Sequence, residues 1–252
     1  MSRPSVALFV TCLVDHFRPQ VGFAAAKLLE QSGCEVIVPP QTCCGQPAYN
    51  GGDKKDASAL ARNAIVAFER FDYVIAPSAS CAGMMIHHYP VLLADEPAWV
   101  ERAKTLSHKT HELFSFLVNV RGMRSTGAKC GGTAAYHDSC SSLRETKTAP
   151  EPRMLLESVE GLETRNIPDT EVCCGFGGLF SVKYPDVSAR MADDKIAHAI
   201  ATGADLMIGP DLGCLLHLAG RLSRKGQKMD VRHAAEILAG MGDEPAIGKE
   251  RG

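Results

Sequence analysis

The stretch Cys43-Cys44-Gly45 occurs once more in the 252-residue chain, as Cys173-Cys174-Gly175. A single cysteine precedes each pair and another follows it, at Cys12 and Cys81 in the first half and at Cys140 and Cys214 in the second. The distance along the chain from the first single cysteine to the pair, and from the pair to the last cysteine, is closely similar in the two halves. Chance does not repeat spacing, pairing and a following glycine together, so the sequence predicts an internal duplication.

Apolar runs and turn residues around these cysteines predict the same order of elements in both halves. In the first half we expect strands over 5–11, 34–38 and 73–77, and helices over 18–31, 53–71, 96–107 and 111–120. In the second we expect strands over 133–137, 163–167, 205–209 and 229–231, and helices over 151–159, 186–202, 214–224 and 233–239. Asp186 is the expected N-cap of the helix over 186–202.

This alternation of strands and helices predicts an α/β fold. We expect two pseudo-symmetric, Rossmann-like halves, each a small, mainly parallel sheet flanked by helices. The stretch 122–127 is rich in loop-forming residues. We therefore expect the first cysteine-rich half to span 1–124 and the second 125–252.

The composition excludes several functional classes. The chain is 45% hydrophobic and 22% charged, close to the globular average, which argues against disorder and coiled coil. A formal net charge of -2 offers no basic surface for nucleic acid, so we expect no nucleic-acid partner. No apolar run approaches the roughly 18 residues of a membrane helix, and the first apolar run, over 5–11, is too short for the apolar region of a signal peptide. We expect a cytoplasmic chain without a transmembrane segment, in which ten cysteines indicate metal or redox chemistry.

Loops after parallel strands converge at one edge of a sheet, so four thiols can meet in each half. Thiolates suit iron–sulfur clusters or zinc, and structural zinc sites usually use C-x2-4-C knuckles, which the repeated pattern lacks. Iron–sulfur clusters are therefore favoured, with zinc as the alternative. Cys34 and Cys130 lie outside the repeat and are expected to be unligated thiols.

The repeated pattern resembles the cysteine-rich CCG domain that occurs in heterodisulfide reductase, in the iron–sulfur subunit of glycolate oxidase and in the membrane-anchoring subunit of anaerobic glycerol phosphate dehydrogenase. Four stretches resemble the lactate-utilisation protein A family in particular: residues 10–15, residues 41–50, Tyr136-His137-Asp138-Ser139-Cys140 with Leu143-Arg144-Glu145, and residues 173–178. The resemblance covers nearly the whole chain. It implies a non-autonomous subunit that acts with two companions, one a ferredoxin-like iron–sulfur protein, to oxidise L-lactate to pyruvate.

The resemblance also implies the ligands. Cys12, Cys43, Cys44 and Cys81 would bind one centre, and Cys140, Cys173, Cys174 and Cys214 a second, with [4Fe-4S] favoured. The wider family closes each copy with C-x2-C, whereas Met84 and His217 stand at those positions here. Each half therefore offers four thiols. Two other functions stay open, a thiol or disulfide reductase subunit of the heterodisulfide reductase type and a zinc-stapled assembly module without a redox role.

A few polar side chains are further candidates. His137 could donate to a cluster sulfide or accept a proton, and is equally interpreted as a histidine packed at a strand end. His217 follows Cys214 by three residues, so it could reach the same centre from one helix face, although a polar residue of a surface helix is the favoured interpretation. Arg144 and Arg153 could clamp a carboxylate such as lactate, although exposed arginines are usually solvated. We take His137 and Arg144 as the catalytic candidates.

Overall fold

The computed structural model describes residues 3–249, which form two compact units that divide after Gly122. Each unit contains a four-stranded parallel sheet with its first strand in an inner position. The strands of the first unit are β1 Ser5–Leu8, β2 Glu35–Ile37, β3 Tyr73–Ala76 and β4 Thr110–Glu112. Those of the second are β5 Lys129–Tyr136, β6 Glu160–Asn166, β7 Leu206–Gly209 and β8 Asp230–His233.

The two sheets have the same topology. Their spatial orders are β2-β1-β3-β4 and β6-β5-β7-β8. In the first sheet Val6 pairs with both Val36 and Tyr73, and in the second Ala134 pairs with both Thr164 and Leu206. The predicted α/β class with two similar halves is thereby confirmed.

Helices cover the sheets and connect the strands. In the first unit they are α1 Cys12–Phe17, α2 Pro19–Gln31, α3 Gln46–Gly51, α4 Lys54–Phe68, α5 Ala79–Gly83, α6 Tyr89–Leu92, α7 Pro97–Lys109 and α8 Leu113–Ser115, with π-helical segments at Met84–His88 and Phe116–Val120. In the second they are α9 Pro150–Glu157, α10 Leu179–Lys183, α11 Pro185–Ala201, α12 Leu212–Arg224 and α13 Ala234–Leu238, with a π-helical segment at Ser142–Thr146. Within residues 3–249 no helix is long and apolar enough to span a membrane.

Two local predictions were wrong. The helix expected over 111–120 begins only at Leu113, because Thr110–Glu112 pairs with β3 as a fourth strand. The buried carboxylate of Glu112 then accepts the N–H groups of Phe114 and Ser115, which starts the helix. Asp186 is not an N-cap, since α11 already begins at Pro185, whose missing N–H needs no partner at a helix start.

Candidate metal centres

The four cysteines of the first repeat, Cys12, Cys43, Cys44 and Cys81, follow the carboxyl ends of adjacent strands. Cys12 begins α1, where the hydroxyl of Thr11 accepts the N–H of Val14 at 3.3 Å. Cys81 lies in α5, where the N-cap hydroxyl of Ser78 accepts its N–H at 3.4 Å. Cys12 follows β1 and Cys81 follows β3, and these two strands are parallel neighbours. Both cysteines therefore lie at the same edge of the sheet.

The vicinal pair reaches the same edge through a turn at Gly45. This glycine has φ 85°, a left-handed conformation that residues with a Cβ rarely adopt, and α3 starts directly after it. The Sγ atoms of Cys12 and Cys43 lie 3.9 Å apart, and those of Cys44 and Cys81 lie 3.5 Å apart. The thiols of Cys43 and Cys44 also interact with each other. The structure therefore brings the four predicted ligands of the first half together, and we call this group the first quartet.

Hydrogen bonds distribute charge unevenly over this quartet. The thiols of Cys12 and Cys44 donate to Cys43, and with the Gly45 N–H, 3.4 Å from its Sγ, they lower the pKa of Cys43 to about 2. The same hydrogen bonds raise the pKa of Cys12 and of Cys44, and burial adds to the effect. Cys43 is therefore the thiolate of this quartet, and it accepts hydrogen bonds from neighbouring thiols. Those thiols must lose their protons when a metal binds.

Apolar side chains enclose the inner side of the first quartet. Cys44 and Cys81 are buried in a core cluster that includes Phe9, Met84 and Tyr89. The Tyr89 hydroxyl donates to the backbone carbonyl of Cys44 at 2.8 Å and so holds the vicinal pair from behind. Cys12 and Cys43 are only partly buried, which leaves one side of the quartet accessible.

The second quartet is built in the same way. Cys140 follows β5, Cys214 lies in the first turn of α12 after β7, and Gly175 turns the vicinal pair with φ 87°. Hydrogen bonds connect Cys140 with Cys173 and Cys174 with Cys214. The four predicted ligands of this half are thus also neighbours.

Backbone N–H groups again point at the sulfur atoms of the second pair. The Gly175 N–H lies 3.4 Å from the Sγ of Cys173, and the Phe176 N–H lies 3.5 Å from the Sγ of Cys174. Hydrogen bonds from Cys140 and Cys174 lower the pKa of Cys173 to about 2, and the pKa of each donor is raised. The electrostatic pattern of the first half is repeated.

The second quartet differs in its polar surroundings. The side chain of His137 is buried beside the quartet. One of its ring nitrogens lies within 4.8 Å of the Sγ atoms of Cys174 and Cys214, and these two sulfurs are also within 4.8 Å of each other. Burial lowers the pKa of His137 to about 4, so the imidazole is neutral near pH 7. Lys195 is buried on the inner face of α11 and donates its Nζ to the carbonyl of Asp169 at 2.9 Å. Sequence reasoning missed Lys195, although a lysine between Ala192 and Ala199 on an apolar helix face was a signal.

The other candidates lie outside the quartets. Arg153 binds Asp138 and stacks over the ring of Tyr136, whereas Arg144 donates to the carbonyl of Glu171. The structure therefore shows no shared carboxylate clamp between these two arginines within residues 3–249. His217 lies 3.2 Å from the hydroxyl of Ser188 through its Nε2.

Cys34 and Cys130 belong to neither quartet. Cys34 precedes β2, and its Sγ lies 3.4 Å from the hydroxyl of Ser32. Cys130 is a partly buried residue of β5. All ten cysteines of the chain are free thiols.

The donor chemistry of both sites fits a thiophilic metal or an iron–sulfur cluster. Four free thiols converge in each half, each vicinal pair has backbone N–H groups directed at its sulfur, and a buried imidazole joins the second set. Soft sulfur donors select iron–sulfur clusters, zinc or copper over magnesium and calcium. The residues thus fit the group that the sequence pattern predicts, and the type of centre stays a proposal.

Comparisons with known proteins find the same family in both halves of the chain. The family of the cysteine-rich domain, CCG, matches residues 6–86 and again residues 134–219, and each match contains one quartet. Lactate utilization protein A of Halalkalibacterium halodurans is 49% identical over 92% of this chain and 96% of its own length. Lactate utilization protein A of Bacillus licheniformis is 48% identical over 92% of this chain and 98% of its own length.

Among solved structures, a hypothetical protein from Helicobacter pylori has a similar fold. The TM-score is 0.65 at 15% sequence identity, and the likeness covers 100% of this chain. The present chain spans only 52% of that protein's length. At this identity the likeness shows the fold alone.

Proposed function

This chain belongs to the lactate utilization protein A family of cysteine-rich domain proteins, and from that premise we propose that it is the iron–sulfur, electron-carrying subunit of an L-lactate oxidising system. One centre would be held by Cys12, Cys43, Cys44 and Cys81. The other would be held by Cys140, Cys173, Cys174 and Cys214. The observation that carries the proposal is the convergence of four thiols in each half.

The protein's own groups suit electron transfer better than substrate chemistry. When bound, an iron–sulfur cluster supplies one-electron transfer, with a potential set by hydrogen bonds to sulfur and by exposure. Here the N–H groups of Gly45, Gly175 and Phe176 point at ligand sulfurs and stabilise negative charge on them. Cys12 and Cys43 leave one side of the first centre accessible to an electron donor or acceptor.

Oxidation of lactate to pyruvate releases two electrons and two protons. Two one-electron centres can together accept both electrons, whereas the substrate carboxylate needs a cationic clamp. Arg144 and Arg153 bind different groups of this chain and do not form that clamp. We propose that this chain oxidises lactate together with companion subunits, two in number by family resemblance, of which one is ferredoxin-like, and that the lactate site is not built from Arg144 and Arg153. The free thiols suit a cytoplasmic location.

Metal analysis of the anaerobically purified chain tests the nature of the centres. We expect a brown protein with iron, acid-labile sulfide and absorbance near about 400 nm. Cys43→Ser should remove iron from the first half, and Cys173→Ser from the second. Cys34→Ser is the matched control, because this buried thiol belongs to neither quartet, and it should retain the wild-type iron content. A colourless protein that binds zinc and no sulfide would instead support the assembly module.

Activity measurements test the electron-carrying role. The isolated chain should not oxidise lactate, whereas a mixture with its two companion subunits should reduce an added electron acceptor. In that mixture Cys43→Ser and Cys173→Ser should each abolish turnover, while Cys34→Ser should not. Lactate oxidation by this chain alone would contradict the proposal. Reduction of a disulfide substrate by the mixture, with reduced methyl viologen supplying the two electrons in place of lactate, would support the reductase alternative.

A further inference from the structure

The two centres have different residues at one matched position. Phe9 and His137 each lie three residues before the first cysteine of their quartet, Cys12 and Cys140. The N–H of Phe9 donates to the carbonyl of Ile75 at 2.8 Å, and that of His137 donates to the carbonyl of Ile208 at 2.7 Å. Both side chains are buried, so the fold places a phenyl ring beside one quartet and an imidazole beside the other.

The imidazole of His137 lacks the partners that a buried histidine normally has. Its exposed fraction is 1%, and neither ring nitrogen has a hydrogen-bond partner within residues 3–249. A buried polar group without a partner costs free energy, about 1–3 kcal/mol in mutational studies, unless a ligand completes it. The packing of a merely structural histidine would instead supply a donor or acceptor.

The ring of His137 is directed at the second quartet. One ring nitrogen lies within 4.8 Å of the Sγ atoms of both Cys174 and Cys214, and these two sulfurs also lie within 4.8 Å of each other. Zinc–sulfur and zinc–nitrogen bonds are about 2.3 and 2.0–2.1 Å long, so donors with this spacing need only a small inward movement to share one metal ion.

The charged neighbours of the ring bind other groups. The carboxylate of Asp138 is taken by Arg153, and the Nζ of Lys195 donates to the carbonyl of Asp169. The ring also packs beside Gly209, where a Cβ would lie 3.5 Å from its Cδ2, in ordinary van der Waals contact.

We propose that His137 is a nitrogen ligand of the second centre, which is therefore a mixed cysteine and histidine site, while the first centre is held by cysteine alone. The inference rests on the proposed function only for the identity of the metal. His217 is the matched control, since it follows Cys214 by three residues but has its Nε2 beside Ser188. The sequence spacing does not separate the two histidines, since each lies three residues from a cysteine of the repeat, and the geometry favours His137.

Magnetic resonance of the full-length chain tests the nitrogen directly. The protein is labelled with ¹⁵N-histidine and reconstituted anaerobically with iron and sulfide, and electron spin echo spectra are recorded in its paramagnetic state. We expect a histidine nitrogen coupling of the size typical of a direct ligand. It should persist in His217→Phe and disappear in His137→Phe, a substitution that copies the first half.

A second measurement uses cobalt(II) alone, without iron or sulfide. In a Cys43→Ser background, in which the first quartet is incomplete, cobalt should bind the second quartet with sulfur charge-transfer bands. His137→Phe should weaken this binding by about tenfold or more, the scale seen when groups around a metal are removed, and His217→Phe should not. A wild-type nitrogen coupling that is retained in His217→Phe supports His137 as the ligand even if His137→Phe does not fold.

The outcomes separate the two proposals. Clusters that show no histidine coupling, or one that survives His137→Phe, would overturn the inference and leave the iron–sulfur proposal standing. Cobalt binding that depends on His137, in a chain that takes up no iron and sulfide, would support the inference and overturn the iron–sulfur proposal. A folded chain that binds none of these metals would overturn both.

Discussion

Arg153 holds the buried carboxylate of Asp138 through two contacts, of 2.6 Å from Nη1 and 2.5 Å from Nη2. The side chain of Asp138 is 1% exposed and that of Arg153 is 25% exposed. Asp138 lies between His137 and the first cysteine of the second quartet. The ion pair therefore anchors the segment that carries both proposed ligands, His137 and Cys140.

Removal of this arginine should destabilise the second half. In Arg153→Leu the Asp138 carboxylate would remain buried without its cation, which we expect to cost about 3 kcal/mol in the free energy of unfolding. The double variant Asp138→Asn/Arg153→Leu should recover part of the loss, because no charge is left unpaired. Denaturant unfolding measures both values.

The exposed pair Arg190–Asp194 supplies the control for that experiment. Its side chains are 79% and 51% exposed, and exposed pairs of this kind contribute about 0.3–0.5 kcal/mol. Arg190→Leu should therefore change the unfolding free energy by no more than about 0.5 kcal/mol. Equal losses in Arg153→Leu and Arg190→Leu would show that the buried pair is not anchoring the segment.

Gly175→Ala should damage the second centre more than Gly45→Ala damages the first. Both glycines have left-handed backbones, which cost a residue with a Cβ about 1–2 kcal/mol. A Cβ at Gly175 would also lie 2.5 Å from the carbonyl oxygen of Ser188, whereas one at Gly45 would lie 3.3 Å from the Cβ of Leu60. Iron content per half and thermal unfolding measure the difference.

Gly52→Ala separates the two causes of that damage. Gly52 has the left-handed conformation of Gly45, with φ 84° and ψ 4°, but a Cβ there would meet nothing within 4 Å. The variant should show only the backbone cost and retain iron in both halves. If Gly175→Ala behaves like Gly52→Ala, the close approach of Ser188 does not position the vicinal cysteines.

Tyr89→Phe should weaken only the first centre. The substitution removes the hydrogen bond from the Tyr89 hydroxyl to the buried carbonyl of Cys44, which we expect to cost about 1–2 kcal/mol because the acceptor loses its partner. Iron should then be lost from the first half at a lower chelator concentration than in the wild type. The second centre serves as the internal control, and an equal loss from both halves would contradict a local role.

Acid should reduce the contribution of Asp193 to stability. Hydrogen bonds from Arg221 lower the pKa of the Asp193 carboxyl, and Lys225 adds to this effect while burial opposes it. A carboxyl with a depressed folded-state pKa contributes fully above its unfolded pKa of about 3.9, and the contribution is lost as pH falls through the folded value. The difference in unfolding free energy between wild type and Asp193→Asn should be largest near neutral pH and shrink below about pH 4. A difference that grows in acid would contradict this sign.

Local pattern was sufficient for much of the fold. The run of apolar residues before Cys12 predicted β1, and the helical spacing of Ala57, Ala61 and Phe68 predicted α4. Thr110–Glu112 was missed because three residues carry too little periodicity to separate a strand from a helix start. That segment is a strand only because β3 lies beside it.

The cysteine repeat was the best signal for the candidate sites. It identified eight thiols that the structure brings together as two quartets. It could not rank His137 against His217, since both are close in sequence to a cysteine of the repeat. The fold directs one ring at the sulfurs and the other at Ser188.

The amino-acid sequence by itself determined the duplication, the order of strands and helices, and the choice of thiol chemistry, because these depend on composition and on spacing along the chain. The tertiary structure decided which sulfurs are neighbours, that Lys195 is buried, and that the second centre has an imidazole where the first has the ring of Phe9. Those features depend on loops from three separate strands meeting at one edge of a sheet. No local pattern encodes the direction in which a side chain points once the loops have met.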